Sequence, residues 1–516
     1  MTLWGGLAVL APSLSACIRS NGEGGAPPND SPTHPLLGAH ATVVSSDAPT
    51  FMKDAATAVA PLGGTGFVAD GTDDEDTINE AILSVGSGGL VRLLGGTFTL
   101  GGPVLLTSNI TLEGAHRGVT LKLADSVLGP AVRVKESSGD VNYAHVTCLT
   151  IDGNKDNRPG ANDDGISIET AFGCHIKDVT VLNVPRNGIY LHETNGSTIS
   201  GCVVNLCKHG IELHDNFLKG NVVANNFIYD NRGHAIRLIG EGSECDDNVI
   251  ANNVMWGGKQ TSGPSGEVGI YGFGNGKPVA GNTLIGNKIL YFLDGLGTGI
   301  YMDNGAYDQQ IVGNFINDCV QGIWISRYGA GGQQITGNYI SYIWRDGLVI
   351  GSADHIIGGN KVLSIGRAAA STYSGVVLFG PRNMVRDNHI SWPSGQNNPL
   401  KYGIEERDNP DPAIDQPDDN LITGNSIADA DKPVVKLGAS TVIKDNPGYV
   451  TENSGQSTGS GSQQTVAHGL ATTPNRVFLS NEDDGANPYQ STAADATNIY
   501  ITAMNQKKYQ WKAEAV

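Results

Sequence analysis

The feature that most limits how this chain can fold is a phrase recurring about ten times: Gly, apolar, any residue, apolar, followed later in each copy by Asn, any residue, and Ile or a similar apolar residue. The first half reads Gly165-Ile166-Ser167-Ile168, Gly188-Ile189-Tyr190-Leu191, Gly210-Ile211-Glu212-Leu213, Gly299-Ile300-Tyr301-Met302, Gly322-Ile323-Trp324-Ile325 and Gly347-Leu348-Val349-Ile350. The second half reads Asn226-Phe227-Ile228, Asn287-Lys288-Ile289, Asn314-Phe315-Ile316, Asn338-Tyr339-Ile340 and Asn388-His389-Ile390. Successive glycines lie mostly 22 to 30 residues apart. A coil of that length holds two or three short strands, each too short to bury its own apolar side, so neighbouring coils must stack into parallel sheets around a shared core. The pattern predicts an all-β right-handed parallel β-helix. It lacks both the strict six-residue period of left-handed helices and the antiparallel blades of about 40 residues found in propellers. The Asn that precedes the last strand of each coil is expected to accept αL geometry. Stacked copies of it would form an amide ladder.

With 70 Gly and 16% charged residues in 516, the chain is rich in turns and poor in helix formers. Its net charge of -19 argues against a nucleic-acid partner, since no basic patch is evident to neutralise phosphates. Residues 1–22 read as an export segment, with Leu14-Ser15-Ala16-Cys17 resembling a lipobox and Cys17 as the lipid anchor, although the usual basic residues before the apolar run are missing. Residues 23–50 read as a flexible tether, 51–450 as the β-helix, 451–464 as a Gly/Ser linker and 465–516 as a small antiparallel β domain. The expected location is secreted or anchored at the cell surface. Thr72-Asp73-Asp74-Glu75 forms a capping-box pattern, and Ile78, Ala81 and Ile82 then give one apolar helix stripe that would plug the first coil. The cysteines lack metal-type spacing, and several occupy positions suited to buried thiols.

Because Cβ directions alternate along a strand, X and the residue two after it in each Gly-apolar-X-apolar strand point outward. Stacking at about 4.8 Å per coil then gathers Tyr190, His192, Glu212, His214 and Arg237 in one patch. This set suits β-elimination or C-5 epimerisation of a uronate, which needs a cation on the carboxylate, a base for the C-5 proton and an acid opposite. Arg237 would hold the carboxylate, His192 or His214 would be the base, Tyr190 the acid, and Glu212 would orient an imidazole. Tyr271, Tyr301, Trp324 and Asp303 would extend the groove for sugar binding, the rings as stacking platforms, with Glu169 and Asp215 beside the reacting centre. Glu169, Glu212 and Asp215 also leave glycoside hydrolysis open. Oxygen-bearing side chains at Asp152, Asn154, Asp156, Asp163 and Asp164 suit a Ca2+ loop, although the EF-hand pattern is incomplete.

Three stretches carry a family resemblance. Asp152-Gly153-Asn154-Lys155-Asp156-Asn157, the pair His192-Glu193, and Tyr402-Gly403-Ile404-Glu405-Glu406-Arg407 closing on Pro433 to Leu437 together resemble the catalytic module of secreted mannuronan C-5 epimerases. The match runs over roughly residues 65 to 445 and places the chain near the pectate-lyase-like β-helix superfamily. The resemblance implies a right-handed parallel β-helix that cleaves, epimerises or binds acidic polysaccharides. Where the family carries Tyr-Gly-Phe-Asp-Pro-His, this chain has Asn187-Gly188-Ile189-Tyr190-Leu191-His192, which keeps only the histidine in register. A second family aspartate aligns with His214, and a family lysine falls near Ala161. The competing reading is a non-catalytic carbohydrate-binding surface or tail-fibre protein, monomeric or homotrimeric.

Overall fold

The computed structural model describes residues 40–58, 65–137, 139–214, 218–258, 267–328, 330–392, 400–409, 416–482 and 486–515. The lipobox-like segment with Cys17 and most of the expected tether lie outside the described residues, as does Asp215. The chain is a right-handed parallel β-helix with an N-terminal helical cap and a small C-terminal antiparallel β domain. It divides into two compact units, residues up to 190 with 196–204, and residues 191–195 with 205 onward.

In the first unit, one parallel sheet runs Thr65–Val68, His40–Val44, Leu90–Leu94, Thr111–Gly114, His145–Thr147, His175–Lys177 and Thr198–Ser200. A second runs Thr97–Leu100, Thr120–Leu123, Thr150–Asp152 and Thr180–Leu182, and a third Val104–Leu106, Val132–Val134 and Ile166–Phe172. The strand His40–Val44 falls within the stretch read as a tether. Its Val43 and Val44 are fully buried and it pairs with Leu90–Leu94, so apolar burial outweighs the polar flanks that gave the stretch its linker-like composition. The helix Asp74–Val85 buries Ile78, Ala81, Ile82 and Val85 against a strand from each of the three sheets, capping the coil. The capping box does not form. Asp73 is left-handed with no side-chain cap, and Asp74 and Glu75 instead accept hydrogen bonds from the backbone N–H of Thr99 (2.7 Å) and Gly101 (2.7 Å), tying helix to strand.

The second unit repeats the three sheets: Val222–Ala224 to Val442–Lys444, Phe227–Tyr229 to Ser426–Ala428, and His209–His214 to Ala430–Val435. The apolar residue after each glycine, or after Ala235 in one coil, forms an inward column, Ile211, Ile236, Ile270, Ile300, Ile323, Leu348, Val376 and Ile404, all fully buried and paired in register. The glycine itself is required by proximity. A Cβ on Gly322 would stand 2.2 Å from the Gly347 carbonyl oxygen and 2.7 Å from Ile340 Cγ2.

The amide ladder is present and unbroken. From Asn226 through Asn253, Asn287, Asn314, Asn338, Asn360, Asn388 and Asn425 to Asn446, each backbone N–H and each side-chain amide donates to the Oδ1 of the next, at 2.9 to 3.1 Å. The left-handed residue is not the ladder Asn but the one before it: Asn225, Asn252, Gly286, Gly313, Gly337, Gly359, Asp387, Gly424 and Asp445. That residue turns the chain and leaves the ladder Asn free to bury its amide. A second ladder runs Asn221, Asn248 and Asn282, and another Gln309, Gln333, His355, Asn383, Asn420 and Thr441.

At the C-terminal end two three-stranded antiparallel sheets enclose Leu470, Ile499, Ile501, Tyr509 and Trp511. The stretch read as a linker, 451–464, contributes the strand Glu452–Thr458 and the start of Gln463–Ala467. Glu452–Thr458 pairs along its whole length with Lys508–Glu514, so backbone pairing rather than side-chain composition decides its state. Cys174, Cys202, Cys207, Cys245 and Cys319 are buried thiols, with burial pushing the pKa of Cys202 and Cys319 up to about 12.

Candidate functional site

On the third sheet of the second unit the outward X positions stack in register: Glu212 beside Arg237, then Tyr271, Tyr301, Trp324, Val349, Val377 and Glu405. The period-2 alternation of the recurring phrase sets this column directly.

Glu212 lies at its chemical centre and is only 1% exposed. Its Oε1 is 2.9 Å from His214 Nδ1 and its Oε2 2.5 Å from an Arg237 guanidinium nitrogen. Burial alone would raise its pKa, but the His214 hydrogen bond and the charges of Arg237, His214 and His209 outweigh it and lower the value to about 2. The carboxylate is therefore an acceptor only, so His214 Nδ1 carries a proton and donates it to Glu212. His214 Nε2 lies 3.7 Å from Glu241, and the His192 ring stands edge-on to His214 at 6.1 Å. Arg237 Nε is buried without a hydrogen-bond partner among the described residues.

A further position, just before Gly210 in one coil and Ala235 in the next, escaped the two-column reading. It brings His209 and His234 together, their rings stacked at 5.2 Å, and His234 stacks on Tyr271 at 4.6 Å. The His234 backbone N–H donates to His209 Nδ1 at 3.1 Å. Burial, with the nearby charges of His209 and Arg237, pushes the His234 pKa down to about 2 and keeps the ring neutral. Counting back from Glu212 and Arg237 in steps of two puts positions 209 and 234 on the inward side, so strict alternation could not reveal them.

The aromatic column continues without a gap. Tyr271 and Tyr301 lie 5.5 Å apart, and Tyr301 stacks on Trp324 at 4.7 Å. Tyr271 Oη donates to Asp303 at 3.3 Å. Burial and Asp303 hold both phenols well above the usual tyrosine range, so both stay protonated.

Tyr190 and Glu169 belong to the first unit: Arg186 stacks on the Tyr190 ring at 4.6 Å, and Glu169 pairs with Lys135 at 2.5 Å and accepts from Ser167. Among the residues nominated for Ca2+, the Asp152 carboxylate accepts from the Asn154 and Asn183 amides, and Asn154 donates to Asp125 and the Leu123 carbonyl. Asp164 accepts from Asn187 N–H and pairs with Arg186 at 3.6 Å, while Asp156 lies within the short 3-10 turn Lys155–Asn157. Asp163 and the carbonyls of Gly153, Val127 and Gly129 converge on the buried guanidinium of Arg158. The loop is organised around a cation of the chain itself, and its oxygens do not fit a Ca2+ cage. Among the described residues no group of three or more His, Cys, Asp or Glu is placed to hold a metal ion.

A family model described as periplasmic copper-binding protein (NosD) matches residues 121–343. No curated protein matches the chain. Among solved structures, the chain is similar to the Dettilon tailspike protein, at 15% identity, TM-score 0.50, covering 91% of this chain and 94% of that one. It is also similar to tailspike protein 3 of bacteriophage CBA120, at 13% identity, TM-score 0.50, covering 73% and 59%. The A-module of Azotobacter vinelandii mannuronan C-5 epimerase AlgE6 matches at 19% identity and TM-score 0.49, covering 73% and 95%. These likenesses belong to the fold. Among the described residues no helix is long and apolar enough to cross a membrane.

Proposed function

We propose that this protein acts on a uronate-containing polysaccharide outside the cytoplasm, as a lyase or a C-5 epimerase-like enzyme. The carrying observation is Glu212, ionised and buried, holding His214 with one oxygen and Arg237 with the other. His214 Nε2 takes the C-5 proton, and Glu212 stabilises the imidazolium that results. Arg237 meets the substrate carboxylate, where the negative charge develops as the C–H electrons move toward the carbonyl. In elimination those electrons expel the C-4 oxygen, which takes a proton. In epimerisation a proton returns to C-5 from the opposite face. Tyr271, kept protonated and in register with Arg237, is the acid of this scheme. Tyr271, Tyr301 and Trp324 offer faces for sugar rings. Export, with Cys17 as a lipid attachment, belongs to the same proposal.

The test is a panel of alginate, pectate and other polyuronates, with and without added Ca2+, followed by NMR for unsaturated ends or inverted C-5 centres. Product on at least one polyuronate supports the reading. Binding without any product would favour the display-protein reading, and a stable trimer in sedimentation would add to it.

A further inference from the structure

We infer that Arg327 and Arg407, gathered on the ring of Phe379, form a second carboxylate-binding subsite on the groove face, and that one polyuronate chain engages it together with Arg237. The inference rests on the uronate reading above. The Arg327 guanidinium lies 4.3 Å from the Phe379 ring centroid and that of Arg407 5.7 Å from it. Phe379 is 5% exposed, so the ring is a floor and not a free surface. Arg327 reaches it because the residue outward-facing between their strands is Gly351, where a Cβ would stand 2.6 Å from the Arg327 backbone nitrogen.

The charges at this place are unequal. Arg407 is fixed by Glu405, at 2.6 and 3.2 Å, and lies 3.7 Å from Asp346. Ser374 braces both carboxylates, its hydroxyl donating to Glu405 at 2.7 Å and its N–H to Asp346 at 2.8 Å. Arg327 has no carboxylate partner among the described residues, in a chain whose net charge is -19. Two guanidinium groups over one apolar ring repel each other, and an external carboxylate relieves that repulsion while accepting from the planar donors. Five strand steps separate Arg237 from the strand of Phe379, through Tyr271, Tyr301, Trp324, Val349 and Val377. At the spacing of parallel strands this is about 24 Å. Only a chain of several sugars reaches both sites.

The experiment is calorimetric titration of oligouronates from trimer to decamer into the full chain, its Arg327→Ala variant and its Arg237→Ala variant, with circular dichroism as the fold check. The unmodified protein should bind the decamer more tightly than the trimer. Arg327→Ala should remove that length-dependent gain, lowering decamer affinity roughly tenfold or more, and leave the trimer unchanged. Arg327→Lys, which keeps the charge without the fork, should fall between, and it decides the matter if the alanine variant does not fold. Equal loss for trimer and decamer, or no loss, overturns the second subsite while the uronate reading stands. Failure of the unmodified protein to bind any oligouronate overturns both.

Discussion

Glu212 Oε1 and His214 Nδ1 stand 2.9 Å apart, two residues along one strand, with the carboxylate buried and the imidazole 18% exposed. Side chains at that spacing lean over the same face, so the strand alone builds the pair and needs no loop to hold it.

Replacing Glu212 by Gln keeps the shape and removes the charge. His214 loses its orienting acceptor, and turnover should fall about 100-fold or more. The folded pKa, about 2, is below the ordinary 4.5, so the ionised carboxylate stabilises the fold above pH 4.5 and that contribution disappears as pH falls toward 2. At neutral pH it amounts to about 3 kcal/mol. Denaturant midpoints of both proteins across this range should converge in acid. A constant separation would contradict the assignment.

The fold was legible because the Gly-Ile-X-Ile copies encode both the inward column and the outward one. The Asn copies likewise encode the ladder, although Asn225 and Gly313 rather than Asn226 and Asn314 take the left-handed turn. Glu212, His214, Arg237 and Tyr271 could be placed together because strand register follows from the repeat. His209 and His234 were missed since strict alternation from Glu212 and Arg237 assigns positions 209 and 234 to the inward face. Asp163 was read as a metal ligand because a sequence does not show that Arg158 folds into its own loop. The strand Glu452–Thr458 was hidden for a similar reason: its partner Lys508–Glu514 is far away in sequence.

His355 occupies a rung where its neighbours are Gln333 and Asn383. Its Nδ1 accepts from the Gln333 N–H at 3.0 Å, and burial lowers its pKa from 6.5 to about 4. The neutral ring is required in the fold, so stability is complete above pH 6.5 and falls as pH drops toward 4, by about 1.4 kcal/mol per unit. His355→Asn should restore a plain amide rung and flatten that dependence in thermal melts at pH 7 and pH 5.

Asn314 donates to Asn338 and the Leu284 carbonyl and accepts from Asn287 twice. Asn314→Ala leaves buried partners unsatisfied on both neighbouring rungs and should cost about 2–4 kcal/mol. The shift in denaturation midpoint measures it. A change within experimental error would mean that the ladder carries little of the stability.

Gly322→Ala places a methyl against the Gly347 carbonyl and Ile340. Overpacking of a stacked core at this closeness should cost about 1–3 kcal/mol, read as a lower melting temperature. An alanine tolerated without change would show that the strands can spread there.

The most direct measurement of the central claim is exchange or loss of the C-5 proton, followed by NMR in heavy water on the best polyuronate of the panel, for the unmodified protein and His214→Ala. The unmodified protein should incorporate deuterium at C-5 or form unsaturated ends, and His214→Ala should fall about 100-fold or more. The same rate in both proteins, or no C-5 chemistry on any polyuronate, would contradict a proton-transfer role for the Glu212, His214 and Arg237 group.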